Sequence, residues 1–247
     1  MEPSEYDNIA KLEARHWWYV GMRQIAARLL ATVCPPALPG AAPPDRRLLD
    51  AGCGVGGGLR WLAAFGQVTG IDLHPLAVRY SAQVSRHVSR ASVQALPFSN
   101  ESFDLVTTFE VLYHLSVSDD VAALVEMRRV LQPGGWLLVR VPAHDWLRGA
   151  HDRHVHTRQR YAAAELRTKL ATTGFAVQRL TSVGFSFFLP AVLLRRSQTS
   201  AAAQTDVTLP FPLVNRVLLA SLQLEDLWLR RFDLPIGLSL LALARKT

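Results

Sequence analysis

The fold of this chain is decided by one stretch, Leu48-Leu49-Asp50-Ala51-Gly52-Cys53-Gly54-Val55-Gly56-Gly57-Gly58. Its first half predicts a short buried strand that ends beside a carboxylate. Five of the next seven residues are glycine, which is typical of a tight backbone turn. A strand that feeds such a turn at the start of a helix brings backbone N–H groups close to a ligand.

An acidic residue, Asp72, follows twenty positions after Gly52 and closes a second short apolar run, 68–71. A carboxylate at this distance can accept hydrogen bonds from both hydroxyls of a ribose. The glycine turn and the acid together predict an adenosine-containing cofactor.

The glycines alone do not choose between two cofactors. Gly52, Gly54 and Gly57 satisfy G-x-G-x-x-G, the dinucleotide pattern, while Gly52, Gly54 and Gly56 satisfy the G-x-G-x-G form seen with S-adenosylmethionine. Three later segments decide between them, in the order Leu96-Pro97-Phe98, Ser102-Phe103-Asp104-Leu105-Val106 and Arg129-Val130-Leu131-Gln132-Pro133-Gly134-Gly135-Trp136. With the glycine stretch, they make residues 46–180 resemble the class I S-adenosylmethionine-dependent methyltransferases of the small-molecule type.

The alternation of strand and helix over residues 46–142 predicts a parallel α/β sheet with helices on both faces. Strands are expected near 46–51, 67–72, 90–94, 103–109 and 136–142, and later near 175–182 and 235–245. The resemblance implies a Rossmann-like sheet of seven strands in the order 3-2-1-4-5-7-6, mostly parallel, with the last strand antiparallel and a helical cap.

The domain organisation expected from the pattern has three parts. Residues 1–45 are expected to form an N-terminal lid helix and a linker that is rich in proline. Residues 46–183 and 233–247 are expected to form the methyltransferase core, and 184–232 a cap or insert of the same domain. The lid follows from His16-Trp17-Trp18-Tyr19, which resembles an "HWWY" segment found in some of these enzymes.

The resemblance also assigns cofactor contacts. The turn from Gly52 to Gly54 would pass under the amino-acid end, with Asp50 as its anchor, and Asp72 would hold the ribose. At position 92 the family often has an acid that meets the adenine amino group, and Ser92 departs from that pattern. The expected cofactor-binding residues are Tyr19, Arg23, Asp50, Gly52, Cys53, Gly54, Asp72, Leu73, Ser92, Val93, Phe109 and Glu110.

Methyl transfer is an in-line displacement that needs a nucleophile held close to the methyl carbon, and a base only if that nucleophile keeps its proton. His114 lies just past the fourth strand and His156 lies in the next loop, so both are candidate catalytic residues. The alternative for His114 is a role in ordering its loop.

The loop 144–161 has three possible roles. It could recognise substrate, with Arg158 or Arg160 binding an acid, or it could be a solvated loop closed by its own hydrogen bonds. It also holds metal-ligand residue types, but their spacing fits no standard site, so no metal ligand is assigned. Those residues are His151, Asp152, His154 and His156.

The formal charge is +7 and the cations are scattered rather than clustered. This charge favours an acidic substrate, a phosphate-bearing carrier or an anionic membrane surface with at most peripheral contact, and no motif supports nucleic-acid binding. The expected small-molecule substrate is hydrophobic or acidic. The N-terminus lacks an apolar core, which predicts no signal peptide and a cytoplasmic location. Two alternatives to methyl transfer stay open: a non-catalytic S-adenosylmethionine-binding module and, on the glycine pattern alone, a nicotinamide-dependent oxidoreductase.

Overall fold

The computed structural model describes residues 3–197 and 208–247. Seven strands are found in this part of the chain: β1 Arg47–Ala51, β2 Gln67–Asp72, β3 Val88–Arg90, β4 Phe103–Phe109, β5 Leu131–Pro142, β6 Phe175–Val183 and β7 Ser239–Lys246. The helices of the same part are α1 Pro3–Leu12, α2 Trp17–Ala31, α3 Gly57–Leu62, α4 Pro75–Ser81, α5 Asp120–Val130, α6 Ala150–His154, α7 Ala163–Thr172, α8 Phe188–Ser197 and α9 Pro212–Trp228.

The strands form a single sheet in the order β3-β2-β1-β4-β5-β7-β6, as predicted. β7 runs antiparallel to β5 and β6, and the other neighbours are parallel. The chain reverses its direction across the sheet between β1 and β4. Ligands in open α/β sheets bind outside the carboxyl ends of the strands at this switch point.

β1 is an interior strand of the sheet and is covered on both faces, which explains its continuous apolar run. Leu49 packs into a cluster that includes Val106 and Leu137, while Leu48 packs on the opposite side with Met22 and Leu30 of α2. Burial on both faces is typical of a central parallel strand.

The prediction of β3 at 90–94 is wrong: the strand is Val88–Arg90. The Ala91 N–H donates to the Asp72 carbonyl, and beyond it the chain leaves the sheet. The Ser92 side chain then accepts the Gln94 N–H and closes a turn, so the residues predicted as strand face the ligand edge instead.

Local hydrogen bonding and packing also set other element bounds. The expected N-terminal lid consists of two helices, α1 and α2, because the His16 side chain accepts the Trp18 N–H and starts α2. The last strand begins at Ser239 rather than 235, since the backbone of Gly237 is pressed against that of Val183.

α2 and α9 pack against each other on the face of the sheet that Leu48 points to. A Cβ on Gly21 would lie 2.3 Å from Leu222 Cδ1, so glycine is what permits this approach. The predicted cap, 184–232, contains α8 and α9, while residues 198–207 within it and residues 1–2 of the predicted lid lie outside the described residues. Within the described ranges, no helix is long and apolar enough to cross a membrane.

Candidate functional site

A cavity of about 710 Å³ opens at the carboxyl ends of β1, β2 and β4. Its walls come from the sheet edge on one side and from α1 and α2 on the other. The structure brings all twelve predicted cofactor residues to this cavity: Tyr19, Arg23, Asp50, Gly52, Cys53, Gly54, Asp72, Leu73, Ser92, Val93, Phe109 and Glu110.

The glycine turn needs its glycines for two different reasons. Gly52 has φ +92°, and a Cβ there would lie 2.2 Å from Val111 Cγ2, so this position is closed by packing. Gly54 has φ +54°, but a Cβ there would meet no protein atom within 4 Å. Gly54 therefore leaves open space beside the backbone where it lines the cavity.

Gly57, the third glycine of the dinucleotide pattern, has a structural reason here. A Cβ at this position would lie 2.1 Å from Glu13 Oε2, and the Gly57 N–H donates to that carboxylate. Burial raises the pKa of Glu13, while Arg60 and Arg23 oppose the shift. Gly57 thus makes room for the side chain of Glu13, which follows α1. This packing accounts for glycine at position 57, so no dinucleotide cofactor is needed to explain it.

Asp72 is held by the backbone of two neighbouring segments. Its Oδ2 accepts the Gly54 N–H at 3.0 Å and its Oδ1 accepts the His74 N–H at 2.9 Å. Burial raises the pKa of this carboxyl, and the two N–H donors partly offset that shift. Each oxygen keeps further lone-pair capacity, which suits a pair of ribose hydroxyls.

Asp50 lies deeper and is almost fully buried. The Thr107 hydroxyl donates to its Oδ1 at 2.8 Å. A Cβ at Gly58 would lie 2.2 Å from Oδ2, so the start of α3 also makes room for this carboxylate. Burial raises the pKa of Asp50 to about 7, with Thr107 opposing and Asp72 and Glu13 adding to the shift.

This shift predicts a pH-dependent stability for the unliganded protein. The unfolded pKa is about 3.9, so between about pH 4 and pH 7 the unfolded chain releases a proton that the folded protein keeps. The contribution of Asp50 to stability therefore falls as pH rises through this window. Asn cannot ionise, and its carbonyl can still accept from Thr107. We expect the melting-temperature difference, Asp50→Asn minus wild type, to become more positive between about pH 5 and pH 8; a difference independent of pH would contradict the shift.

The residue that follows β4, Glu110, has a strained backbone, with φ +58°. Its carboxylate accepts from Arg140 Nε of β5 at 2.9 Å, and the same guanidinium lies 5.4 Å from the centre of the Phe109 ring. Arg140 lines the cavity and was not predicted. Its signal in the sequence is weak, because only the pairing of β4 with β5 brings it to Glu110.

The rim beyond β2 is aromatic and polar. Leu73 is exposed at the cavity, and its carbonyl accepts from Arg90 Nε at 2.9 Å. Tyr6 of α1 stacks on His74 with ring centres 4.4 Å apart, and burial raises its pKa to about 12. Sequence reasoning missed Tyr6, since nothing local links α1 to the residue two positions after Asp72.

The aromatic segment of α2 divides as helical geometry requires. Trp17 packs on Phe187 with ring centres 4.5 Å apart, away from the cavity, whereas Trp18 and Tyr19 line it. Burial raises the pKa of Tyr19, helped by the carboxylates of Glu5 and Glu13, so the phenol stays protonated. Arg23, one turn further on, also lines the cavity.

The structure separates the two candidate catalytic histidines. His114 lines the cavity and His156 does not, although their ring centres are 5.8 Å apart. His156 is therefore out of position for direct contact with a substrate in the cavity. The Ser116 N–H donates to His114 Nδ1 at 3.1 Å and the Ser116 hydroxyl lies 2.8 Å from the same nitrogen. An accepting Nδ1 leaves the proton on Nε2.

Burial lowers the pKa of His114 to about 4. The imidazole is consequently neutral at physiological pH and presents an N–H rather than a basic nitrogen. This geometry favours a role for His114 as a hydrogen-bond donor over that of a general base.

The loop 144–161 is folded on itself by a buried ion pair. Arg160 Nε donates to Asp152 Oδ1 at 2.7 Å, and both residues line the cavity. Arg158 turns away, with its Nη2 3.4 Å from Asp120 Oδ2. Of the two arginines considered for acid recognition, only Arg160 reaches the cavity. Among the described residues no group of three or more His, Cys, Asp or Glu could hold a metal, and the His151 side chain lies outside that description.

Residues 49–139 match the family model described as a methyltransferase domain. A probable S-adenosylmethionine-dependent methyltransferase of Mycolicibacterium smegmatis is 36% identical over 142 residues, which cover 54% of this chain and 53% of that protein. The 2-methyl-6-phytyl-1,4-hydroquinone methyltransferase of Synechocystis sp. is 32% identical over 177 residues, or 68% of this chain and 52% of that protein. The chain thus spans about half the length of these two curated relatives.

The fold also recurs among solved structures. The complex between the Haloferax volcanii Trm112 methyltransferase activator and a methyltransferase matches with a TM-score of 0.59 and 21% identity, over 98% of this chain and 97% of that one. At that identity the match supports the fold alone, and the assignment to a family rests on the domain model and the curated relatives.

Proposed function

The chain belongs to the class I S-adenosylmethionine-dependent methyltransferases, and from this premise we propose that it transfers a methyl group to a small-molecule substrate. One observation carries the proposal. A single cavity joins the carboxylate of Asp72 and the backbone of Gly54 to the residues that follow β4 and β5, including His114 and Arg160. Cofactor and substrate would therefore share one chamber, as an in-line displacement requires.

The donor set of the cavity fits S-adenosylmethionine. Asp72 would accept the ribose hydroxyls, and the open backbone at Gly54 would let the amino-acid end approach closely. Leu73, Ser92 and Val93 would flank the adenine, with the Ser92 hydroxyl oxygen accepting from the adenine amino group in place of the family's acid. When bound, the cofactor supplies a methyl group made electrophilic by the neighbouring sulfonium.

Several further groups would act on the amino-acid end. Arg23 would meet the carboxylate, and Asp50 and Glu13 would face the ammonium, because both acids line the same side of the cavity. Binding a cation beside Asp50 would favour its ionised form and offset the burial that raises its pKa. Tyr19, kept protonated, would close the chamber from α2 and exclude water.

The lining favours a hydrophobic substrate over an acidic one. Arg140 and Arg160 are the cations at the far end, and each is already paired, with Glu110 at 2.9 Å and Asp152 at 2.7 Å. Neither pair leaves a net positive charge for an acid. Apolar side chains complete this end of the cavity: Trp18, Pro142, Val155, Ala191 and Leu238. The phytyl hydroquinone enzyme of Synechocystis agrees with this choice.

His114 would orient the substrate by donating its Nε2–H to an oxygen of the acceptor group. We expect His114→Ala to lower kcat about tenfold to hundredfold, the usual effect of removing one such hydrogen bond, while cofactor affinity stays nearly constant. His114→Gln should recover part of the rate, because its amide also presents an N–H. The kcat of the wild type should not fall between about pH 8 and pH 6 on account of this group, since its pKa is about 4.

The matched control is His156→Ala, which should turn over close to the wild-type rate. A drop in wild-type kcat around pH 6.5 that disappears in His114→Ala would contradict the donor role and restore the general base.

The proposed activity is tested with labelled S-adenosylmethionine and a panel of acceptors. Prenylated hydroquinones and fatty acids represent the hydrophobic class, and short dicarboxylic acids the acidic class. Calorimetric titration with S-adenosylmethionine and with a nicotinamide dinucleotide separates the cofactor classes first. Tight binding without transfer to any acceptor would favour the non-catalytic module instead. A cytoplasmic location remains part of the proposal, tested by fractionation.

A further inference from the structure

The outward face of α9 is apolar. Leu213 is 74% exposed, Val217 60%, Leu224 68% and Trp228 55%. Their spacing of four, seven and four residues places them on one side of the helix. A helix that packs on a globular domain normally turns polar residues outward, so this arrangement is the reverse of the usual one.

The inward face of α9 carries the helix's acidic residues. Asp226 is buried and accepts from Arg28 Nε, while Glu225 is buried and accepts the N–H groups of Gly184 and Phe185. α9 is described over its full length, and these are its only two acids. No negative charge therefore stands on its outward face.

Exposed arginines flank the apolar face, and the nearby acid Asp233 is paired with Arg179. Arg216 within α9 and Arg230 and Arg231 just after it are exposed, and the whole chain carries a formal charge of +7. The aromatic rings of Phe211, Trp228 and Phe232 are exposed at the two ends of the helix. Apolar residues flanked by arginine and aromatic rings are the composition of helices that lie in a lipid–water interface.

We propose that α9 docks this protein on an anionic lipid surface, with its apolar face among the acyl chains and its arginines at the headgroups. Charge complementarity selects this occupant over a second copy of the chain. A copy would bring a further net positive charge and the same arginines to the contact, and the nearby acid Asp233 is already paired with Arg179 at 2.7 Å.

The same surface continues toward the cavity. Leu189 and Leu193 of α8 are exposed, and Ala191 between them lines the cavity. Glu225 ties α9 to the segment that starts α8 through Gly184 and Phe185. On the proposed function, a lipophilic acceptor could pass from the bilayer along α8 to the chamber. The docking itself does not depend on that function.

Vesicle flotation of the full chain tests the docking without any turnover. The probes are vesicles of pure phosphatidylcholine and of an equimolar mixture of phosphatidylcholine and phosphatidylglycerol. We expect the wild type to bind the mixed vesicles, and we expect salt to weaken this binding. The Leu224→Ser/Trp228→Ser variant should bind them with an affinity at least about tenfold lower, because two apolar groups leave the bilayer. Arg216→Glu/Arg230→Glu should bind the mixed vesicles no better than the neutral ones.

The matched control is Leu38→Ser, which removes an equally exposed apolar side chain from the proline-rich linker and should bind like the wild type. S-adenosylmethionine affinity, unchanged in every variant, would show that each is folded. The proposal is overturned if the wild type does not float, or if the α9 variants float as well as the wild type. It is also overturned if the wild type is a dimer that the Leu224→Ser/Trp228→Ser variant dissociates, since the face would then join two copies.

Discussion

Gly54→Val should abolish S-adenosylmethionine binding while the protein stays folded. The backbone at Gly54 has φ +54°, and no protein atom lies within 4 Å of the Cβ that a substitution would add. The new side chain would therefore occupy the open space beside the backbone at the cavity and block the cofactor. We expect an affinity lower by about 100-fold or more, which calorimetry would report as no measurable heat.

The control for backbone strain is Gly40→Val in the linker. Gly40 has φ +82° and likewise no neighbour within 4 Å, but it does not line the cavity. Both substitutions place a β-branched residue in the left-handed region, so both should lower the melting temperature by a similar amount. Only Gly54→Val should lose the cofactor. Normal binding by a folded Gly54→Val protein would mean that the cofactor does not approach this turn.

Asp72→Ala should weaken S-adenosylmethionine binding by about 1.5–3 kcal/mol, because it removes a charged acceptor from two ribose hydroxyls. Loss of the carboxylate also frees the N–H groups of Gly54 and His74. The measurement is a calorimetric titration at fixed pH, with circular dichroism to confirm the fold.

Asp119→Ala separates these two effects. Asp119 accepts the N–H groups of Val121 and Ala122 at the start of α5, so its loss frees the same number of backbone donors. It does not line the cavity. Both variants should lose stability, and only Asp72→Ala should lose affinity. Equal affinity in Asp72→Ala and Asp119→Ala would remove Asp72 from the ribose site.

The sequence predicted the sheet well where local signals were strong. β1, β2 and β4 begin and end within a residue of their predicted bounds, because each is a short apolar run with a clear end. β3 was placed too late, since it has only three residues at the edge of the sheet and its end is set by a hydrogen bond to Asp72. Edge strands have one neighbour, so their limits depend on tertiary contacts rather than on pattern.

The residues that line the cavity at the ends of β1 and β2 could be predicted, because the glycine turn and Asp72 each follow a local strand pattern. The residues that line the opposite end could not. Arg140 and Glu110 are thirty residues apart and meet only through the pairing of two strands. Arg158 and Arg160 have the same chemistry and differ by two positions, yet only Arg160 faces the cavity.

By itself, the sequence determined the fold class through its alternation of strand and helix. It determined the cofactor through the glycine turn, Asp72 and the later segments that resemble the methyltransferase family. Only the tertiary structure decided where the histidines lie and which face of α9 is exposed. His114 lines the cavity with its pKa lowered by burial and its Nδ1 accepting from Ser116, and His156 does not line the cavity. α9 has apolar residues on several sides, so periodicity could not tell its buried face from its exposed one. That choice is made by the contacts of Leu222 and Glu225 with distant parts of the chain.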